Sequence, residues 1–207
     1  MAPDGRPPRR KALSRWAVRR QDPRGFTLIE LLLVSAIFVA LAAIGTPMLG
    51  RAIDAYRLGM ASRAVERELQ TARLAAVTAN RMVRVRFDCP ATGEFRRVEV
   101  LGAPGVPDAL DAPVARCSEA TYPYPPPDNN PLTRPNHDGP IRRLPIGVSF
   151  NAAQTIEFWP DGTAHVDGGV TGTWPAVQAG GLMLTLSKAG VTRSIAVNGL
   201  GRVHLIR

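Results

Sequence analysis

A glycine, an aromatic residue and a carboxylate stand at fixed spacing ahead of a long uncharged run. The stretch reads Arg24-Gly25-Phe26-Thr27-Leu28-Ile29-Glu30, and the 20 residues from Leu31 to Gly50 carry no charge. Two kinds of chemistry suit these residue types. The Gly25–Phe26 peptide bond has no side chain on its acyl side, so a protease can approach the backbone closely. A cut there makes Phe26 a new N-terminus, with Glu30 one helical turn below its amine. Glu30 then becomes an ion-pairing group. A carboxylate inside a membrane helix costs roughly 2.5–3.5 kcal/mol on insertion scales. Pairing it with a cation lowers that cost.

The element that must position these groups is the apolar run itself. It has about the length a helix needs to cross the hydrocarbon of a bilayer. Three readings compete for it. A secretory signal is cut after the apolar region beside small residues; Ala42-Ala43-Ile44-Gly45 would serve, but the run continues to Leu49. A plain anchor has no use for Glu30. Cleavage at the head of the run, after Gly25, uses every feature. The basic flank before it stays in the cytoplasm, which sends the C-terminal part outward.

Gly25-Phe26-Thr27-Leu28-Ile29-Glu30 resembles the type IV prepilin signature. The resemblance implies a dedicated membrane peptidase that cuts after Gly25 and methylates the amine of Phe26. It also implies that Glu30 pairs with the N-terminal amine of a neighbouring subunit and sets register in a helical filament. Pro47 is the twenty-second residue counted from Phe26, where many pilins carry a helix-weakening proline. With Gly45 it predicts a kink or local melting.

The net charge of +9 is concentrated at the start. Residues 1–25 hold eight Arg or Lys and two Asp, a net of +6, which leaves +3 for the remainder. The basic balance is therefore topological and gives little support to a nucleic-acid partner. The expected organisation is a removed leader over 1–25, a transmembrane and assembly helix over 26–50, an amphipathic helix over 51–80 and a periplasmic β domain over 81–207.

In the second helical half, Leu58, Ala61, Val65, Leu69, Ala72 and Ala76 recur at steps of three and four, which predicts one face laid on a globular partner. Arg63, Glu66, Arg67 and Gln70 fall on the other side. Met82–Asp88 alternates as a strand, with Val83, Val85 and Phe87 inward and Arg84 and Arg86 outward. Glu94–Leu101 is a second strand whose parity shifts near Arg96-Arg97, which suggests a bulge. Residues 102–145 hold 11 of the 19 prolines and read as a long irregular loop. Beyond it, Val148 and Phe150 mark a short strand. Thr155–Trp159 and Ala164–Asp167 form a hairpin around Pro160-Asp161-Gly162-Thr163. Leu182–Ser187, Thr192–Val197 and Arg202–Ile206 follow as three strands. The fold class is α+β: a long N-terminal helix on a C-terminal antiparallel β domain, expected as two sheets with the helix covering one.

Cys89 and Cys117 both lie in the exported part, where disulfides persist. A bridge would close a loop of about 29 residues and contribute about 3 kcal/mol by loop-closure entropy. Two unpaired thiols are the alternative. No metal-binding spacing is present, and no metal or cofactor is expected. Nor is an enzyme: His165 near Asp161 and Asp167 reads as polar residues around a turn.

Ile156-Glu157-Phe158-Trp159-Pro160-Asp161-Gly162-Thr163 and the three closing strands resemble the GspH/FimT-type minor pseudopilins and minor pilins. That resemblance implies a structural subunit that initiates or caps a periplasmic pseudopilus in type II protein secretion. The alternative it implies is a minor type IV pilin, active in pilus assembly or DNA uptake. The implied partners are the prepilin peptidase, other major and minor pilins or pseudopilins, the inner membrane and exported proteins. For DNA, the relevant family feature is a basic Gly-Arg-x-Arg tail. Here it reads Gly201-Arg202-Val203-His204, with a mostly neutral histidine at the last place. Arg193, Arg202 and Arg207 would supply a small phosphate-binding patch. A solvated strand edge is the preferred reading of the same residues.

Overall fold

The computed structural model describes residues 25–102, 111–126, 137–151, 153–169 and 172–206. Residues 1–24, which are all of the expected leader but Gly25, parts of the Pro-rich segment and Arg207 lie outside the described residues. The chain divides into two compact units, one ending at Gly45 and one beginning at Thr46.

The first unit contains the start of helix α1, Leu28–Ala79. Its apolar residues are exposed in the single chain, including Leu31, Leu32, Phe38 and Leu41. The helix is long and apolar enough to cross a membrane. Helical structure continues through Pro47, so the local melting expected there does not occur. Pro47 brings no N–H for the carbonyl one turn earlier, but its ring fixes a backbone angle that helices share.

In the second unit, α1 ends where Asn80 takes a left-handed conformation (φ 52°). The Arg81 amide reaches back to the Ala76 carbonyl at 3.1 Å, a Schellman-type stop. Two antiparallel sheets follow. The strands are β1 Val83–Phe87, β2 Glu94–Glu99, β3 Arg142–Arg143, β4 Ser149–Asn151, β5 Ile156–Phe158, β6 Ala164–Val166, β7 Leu182–Lys188, β8 Val191–Val197 and β9 Val203–Ile206, with a short helix α2 Pro113–Arg116 between β2 and β3. One sheet has the order β3-β2-β1-β5-β6 and the other β4-β7-β8-β9. The β7–β8 hairpin turns on Ala189 and Gly190, both at positive φ, as a two-residue loop requires.

The α1 stripe foreseen from periodicity is buried in full: Leu58, Ala61, Val65, Leu69, Ala72 and Ala76. The core they enter takes residues from both sheets, among them Val83, Val85, Ile156 and Phe158 from one and Leu184, Leu186, Ile195 and Val197 from the other. The helix therefore shares a core with two sheets rather than covering one.

Three expectations require correction. Arg86 does not face water. It is buried, because the outer face of the five-stranded sheet is covered. β2 has no bulge: it pairs with β1 in unbroken register from Val83↔Glu99 to Phe87↔Phe95. The parity shift arises because both faces of β2 are covered, with Phe95 and Arg97 toward the helix and Arg96 and Val98 on the other side. The cover comes from the segment read as an irregular loop. Its described parts, 111–126 and 137–145, contain α2 and β3 and bury Asp111, Arg116 and Asp138.

Candidate processing and assembly site

Thr27 stands one residue before α1, and its side chain closes the first turn. The Glu30 amide donates to Thr27 Oγ1 at 3.3 Å, and the Thr27 amide donates to Glu30 Oε2 at 3.4 Å. This is the reciprocal Thr-x-x-Glu capping box, which satisfies two amides that a helix start leaves bare. Glu30 also places negative charge at the positive end of the helix dipole. The sequence reading assigned Glu30 only to a neighbouring subunit; within the single chain it already caps its own helix.

Gly25 and Phe26 are exposed, and neither is in the helix. A Cβ built on Gly25 would meet nothing within 4 Å among the described residues. The fold therefore has no steric need for glycine at this place. A requirement for it must come from something that approaches from outside.

Away from this end, the structure joins Cys89 and Cys117 in a disulfide. The bond ties the β1–β2 loop to the end of α2, beside Arg116. Arg116 is fully buried, lies over the Tyr122 ring at 4.2 Å, and donates from Nη2 to Asp138 Oδ1 at 2.6 Å and to the Glu99 carbonyl at 2.7 Å. Arg96, equally buried, donates to the carbonyls of Gly139, Tyr122 and Arg116. Burial lowers the pKa of the Arg96 guanidinium. It pushes Arg86 down to about 10, with Arg84 adding to the effect. These arginines fasten the cover to the sheet by bonding to backbone carbonyls.

A second set of charges fastens α1. Glu68 is buried on the helix and accepts Arg97 of β2 at 3.1 Å and Arg142 of β3 at 2.6 Å, one on each carboxylate oxygen. The sequence offered a signal for it. Glu68 lies three residues after Val65, in phase with the apolar stripe, and a carboxylate in that phase needs cationic partners. On the outer face, Glu157 accepts Arg84 Nε at 2.6 Å and Trp159 Nε1 at 2.7 Å. Arg84 lies over the Trp174 ring at 4.2 Å, and Trp159 stacks on His165 at 3.9 Å. His165 is thus held between a ring, Thr163 and the Trp174 carbonyl.

Of the residues considered for phosphate contact, Arg207 lies outside the described residues, and Arg193 and Arg202 line different clefts. Arg193 lies on β8 and shares a cleft with Arg63 and Arg67 of α1 and His204 of β9. Arg202 lies at the other end of β9, in a cleft with Arg73, Leu74 and Val77. Five residues of extended chain place the two levels about 17 Å apart. Among the described residues, no group of three His, Cys, Asp or Glu side chains is placed to hold a metal ion.

Residues 20–46 match the family described as Prokaryotic N-terminal methylation motif. Among solved structures, the chain is similar to the type IV minor pilin FimU of Pseudomonas aeruginosa, with TM-score 0.41 and 14% identity over 72% of this chain and 93% of that one. A second crystal form of FimU gives TM-score 0.43 and 13% identity over 72% and 88%. The minor pseudopilin EpsH from the Type 2 Secretion System of Vibrio cholerae gives TM-score 0.41 and 11% identity over 72% and 96%. No curated protein matches the chain.

Proposed function

We propose that the chain is a non-enzymatic structural subunit of a pilin-like assembly: a minor pseudopilin that helps initiate or cap the periplasmic pseudopilus of a type II protein secretion system. It is made with a cytoplasmic leader over 1–25. The prepilin peptidase removes the leader between Gly25 and Phe26 and methylates Phe26. The helix then holds the protein in the inner membrane, with the β domain in the periplasm, until neighbouring pseudopilins take it up. One observation carries the reading. A capped helix start at Thr27 and Glu30 follows a glycine that the fold does not need, and leads into an apolar surface that this chain leaves uncovered. In the assembly, that surface is buried against neighbouring helices, and Glu30 offsets a neighbour's N-terminal amine.

The test is the mass of the mature N-terminus in cells that contain a prepilin peptidase. A species beginning at N-methylated Phe26 supports the reading, and an intact N-terminus or a cut near Ala43 overturns it. Loss of exoprotein secretion on deletion of the gene, with pili retained, supports the choice of machine.

A second reading is a minor type IV pilin that contacts DNA during uptake. The observation in its favour is the cleft that gathers Arg63, Arg67 and Arg193. A salt-sensitive mobility shift lost on Arg193→Ala supports it; no shift at low salt removes it.

A further inference from the structure

β9 is an outer strand of the four-stranded sheet, and among the described residues it pairs only with β8. The Asn198 amide donates to the Arg202 carbonyl at 3.1 Å, so this pair, next to Val197↔Val203, is of the hydrogen-bonded kind. Bonded and non-bonded pairs alternate along an antiparallel ladder. Ala196↔His204 and Ser194↔Ile206 are then bonded, and the main-chain groups of Val203 and Leu205 point away from β8 to the free edge. Among the described residues, no hydrogen bond reaches the amide of either.

Two clefts between β9 and α1 flank this edge. One, of about 430 Å³, lies at the start of the strand and includes Leu74, Val77, Arg202 and Val203. Leu74 and Val77 are exposed. The other, of about 960 Å³, lies at the end of the strand, with Arg63, Arg67 and Arg193 against a single carboxylate, Glu66. An open edge normally carries a device against unwanted pairing, such as a bulge, a proline or charge. Here the device is positive charge. It repels another basic edge, including β9 of a second copy, and it selects an acidic one.

We propose that the free edge of β9 accepts an extended segment of a neighbouring subunit as an added strand. The segment carries acidic side chains toward Arg63, Arg67 and Arg193, and apolar ones toward Leu74 and Val77. Main-chain bonds to Val203 and Leu205 supply affinity, and the two unlike clefts supply direction and specificity. That the segment belongs to a fellow subunit rests on the assembly reading; the pairing surface itself does not.

The experiment uses the full chain in detergent micelles and a synthetic peptide, Thr-Glu-Thr-Glu-Thr-Val-Thr-Val, beside the same peptide with lysines in place of the glutamates. Hydrogen exchange is read at single amides. The acidic peptide slows exchange at Val203 and Leu205 by at least about tenfold, and the basic peptide does not. Leu205→Pro removes an outward donor while leaving the bonds to β8, since proline is tolerated on that side of an edge strand. It weakens binding by about tenfold or more, with unchanged exchange at Leu184 and Ile195 as the check on folding. Arg63→Glu combined with Arg67→Glu transfers the preference to the basic peptide. Unchanged exchange in the unaltered chain overturns the proposal. So does binding that survives Leu205→Pro, because only charge attraction, of the kind a nucleic acid would use, then remains. None of these readouts involves a filament, so their failure leaves the assembly reading standing on the mass of its N-terminus.

Discussion

Thr27 and Glu30 hold each other across the first turn of α1, each side chain accepting from the other's amide at 3.3–3.4 Å. This gives Glu30 a local task that needs only an acceptor, separable from the proposed pairing with a neighbour, which needs a charge. Glutamine can fill the same place in a capping box. Glu30→Gln therefore keeps the cap and loses the charge. The expected outcome is normal cleavage and membrane insertion with little incorporation into the assembly, measured by co-purification of cross-linked subunits. Thr27→Ala removes the cap and keeps the charge, and costs about 0.5–2 kcal/mol of local helix stability. Exchange at the amides of residues 28–30 rises while incorporation continues. Normal incorporation of Glu30→Gln would remove the pairing role.

Gly25→Leu separates the fold from processing. A Cβ added there meets no described atom within 4 Å, and Gly25 lies outside the β domain, so the unfolding midpoint of that domain is expected to stay where it is. Processing stops, and mass spectrometry finds only the uncut form. A normally trimmed variant would show that no enzyme reads this glycine.

The two most buried charge clusters differ in what their loss leaves behind. Arg116→Met strips Asp138 of its closest cation and leaves it Arg96 at 3.7 Å and the Glu99 amide; breaking such a buried pair is expected to cost up to about 3–5 kcal/mol. Among the described residues, Arg86 donates from Nη2 to the Asp111 carbonyl at 2.6 Å and its Nε has no partner. Arg86→Met is expected to leave stability unchanged or raise it. The folded pKa of Arg86 is depressed to about 10. The unfolded chain thus binds more protons above that pH, and the residue's contribution to stability improves as pH rises through it. Urea unfolding of both variants, repeated at pH 7 and pH 10, tests the order and the sign.

Removing the Cys89–Cys117 bond by reduction, or as Cys117→Ser, is expected to cost about 3 kcal/mol. The cover over the outer face of the five-stranded sheet loosens first. Limited proteolysis should then cut within residues 111–126 before it cuts the paired strands. Simultaneous loss of both would show that cover and sheet unfold as one.

The carboxyl of Asp161 lies below its usual range because Thr163 donates to it from both hydroxyl and amide. A depressed folded value means that the contribution is present above the unfolded pKa and is lost as pH falls through the folded one. Thr163→Val keeps the amide bond and removes the hydroxyl. It is expected to raise the Asp161 pKa, read by carboxyl NMR; an unchanged value would assign the shift to the turn backbone alone.

Local pattern made much of this protein legible. The apolar run, the Gly25–Glu30 spacing, the α1 stripe from Leu58 to Ala76 and the hairpin turns at Asp161-Gly162 and Ala189-Gly190 all depend on residues close in sequence. Helix and strand periods expose such features directly. Glu68 was half legible, since its phase marked it as buried, but its partners lie 29 and 74 residues away.

Tertiary structure alone decided which faces were covered. Arg84, Arg86 and Arg96 alternate as solvent-facing residues do, and that pattern is the same whether the outer face meets water or a second layer. The layer comes from a Pro-rich segment with no period of its own. It is held by a disulfide, by arginine bonds to carbonyls, and by Asp138 and Asp111 accepting backbone amides. The sequence by itself determined the apolar helix that follows Gly25, its Thr27–Glu30 cap and the alternation of the strands, because near neighbours set those energies. Only the folded chain determined that the arginines were buried, that Arg193 and Arg202 were parted, and that the edge of β9 stood open, because those follow from contacts between residues far apart in the chain.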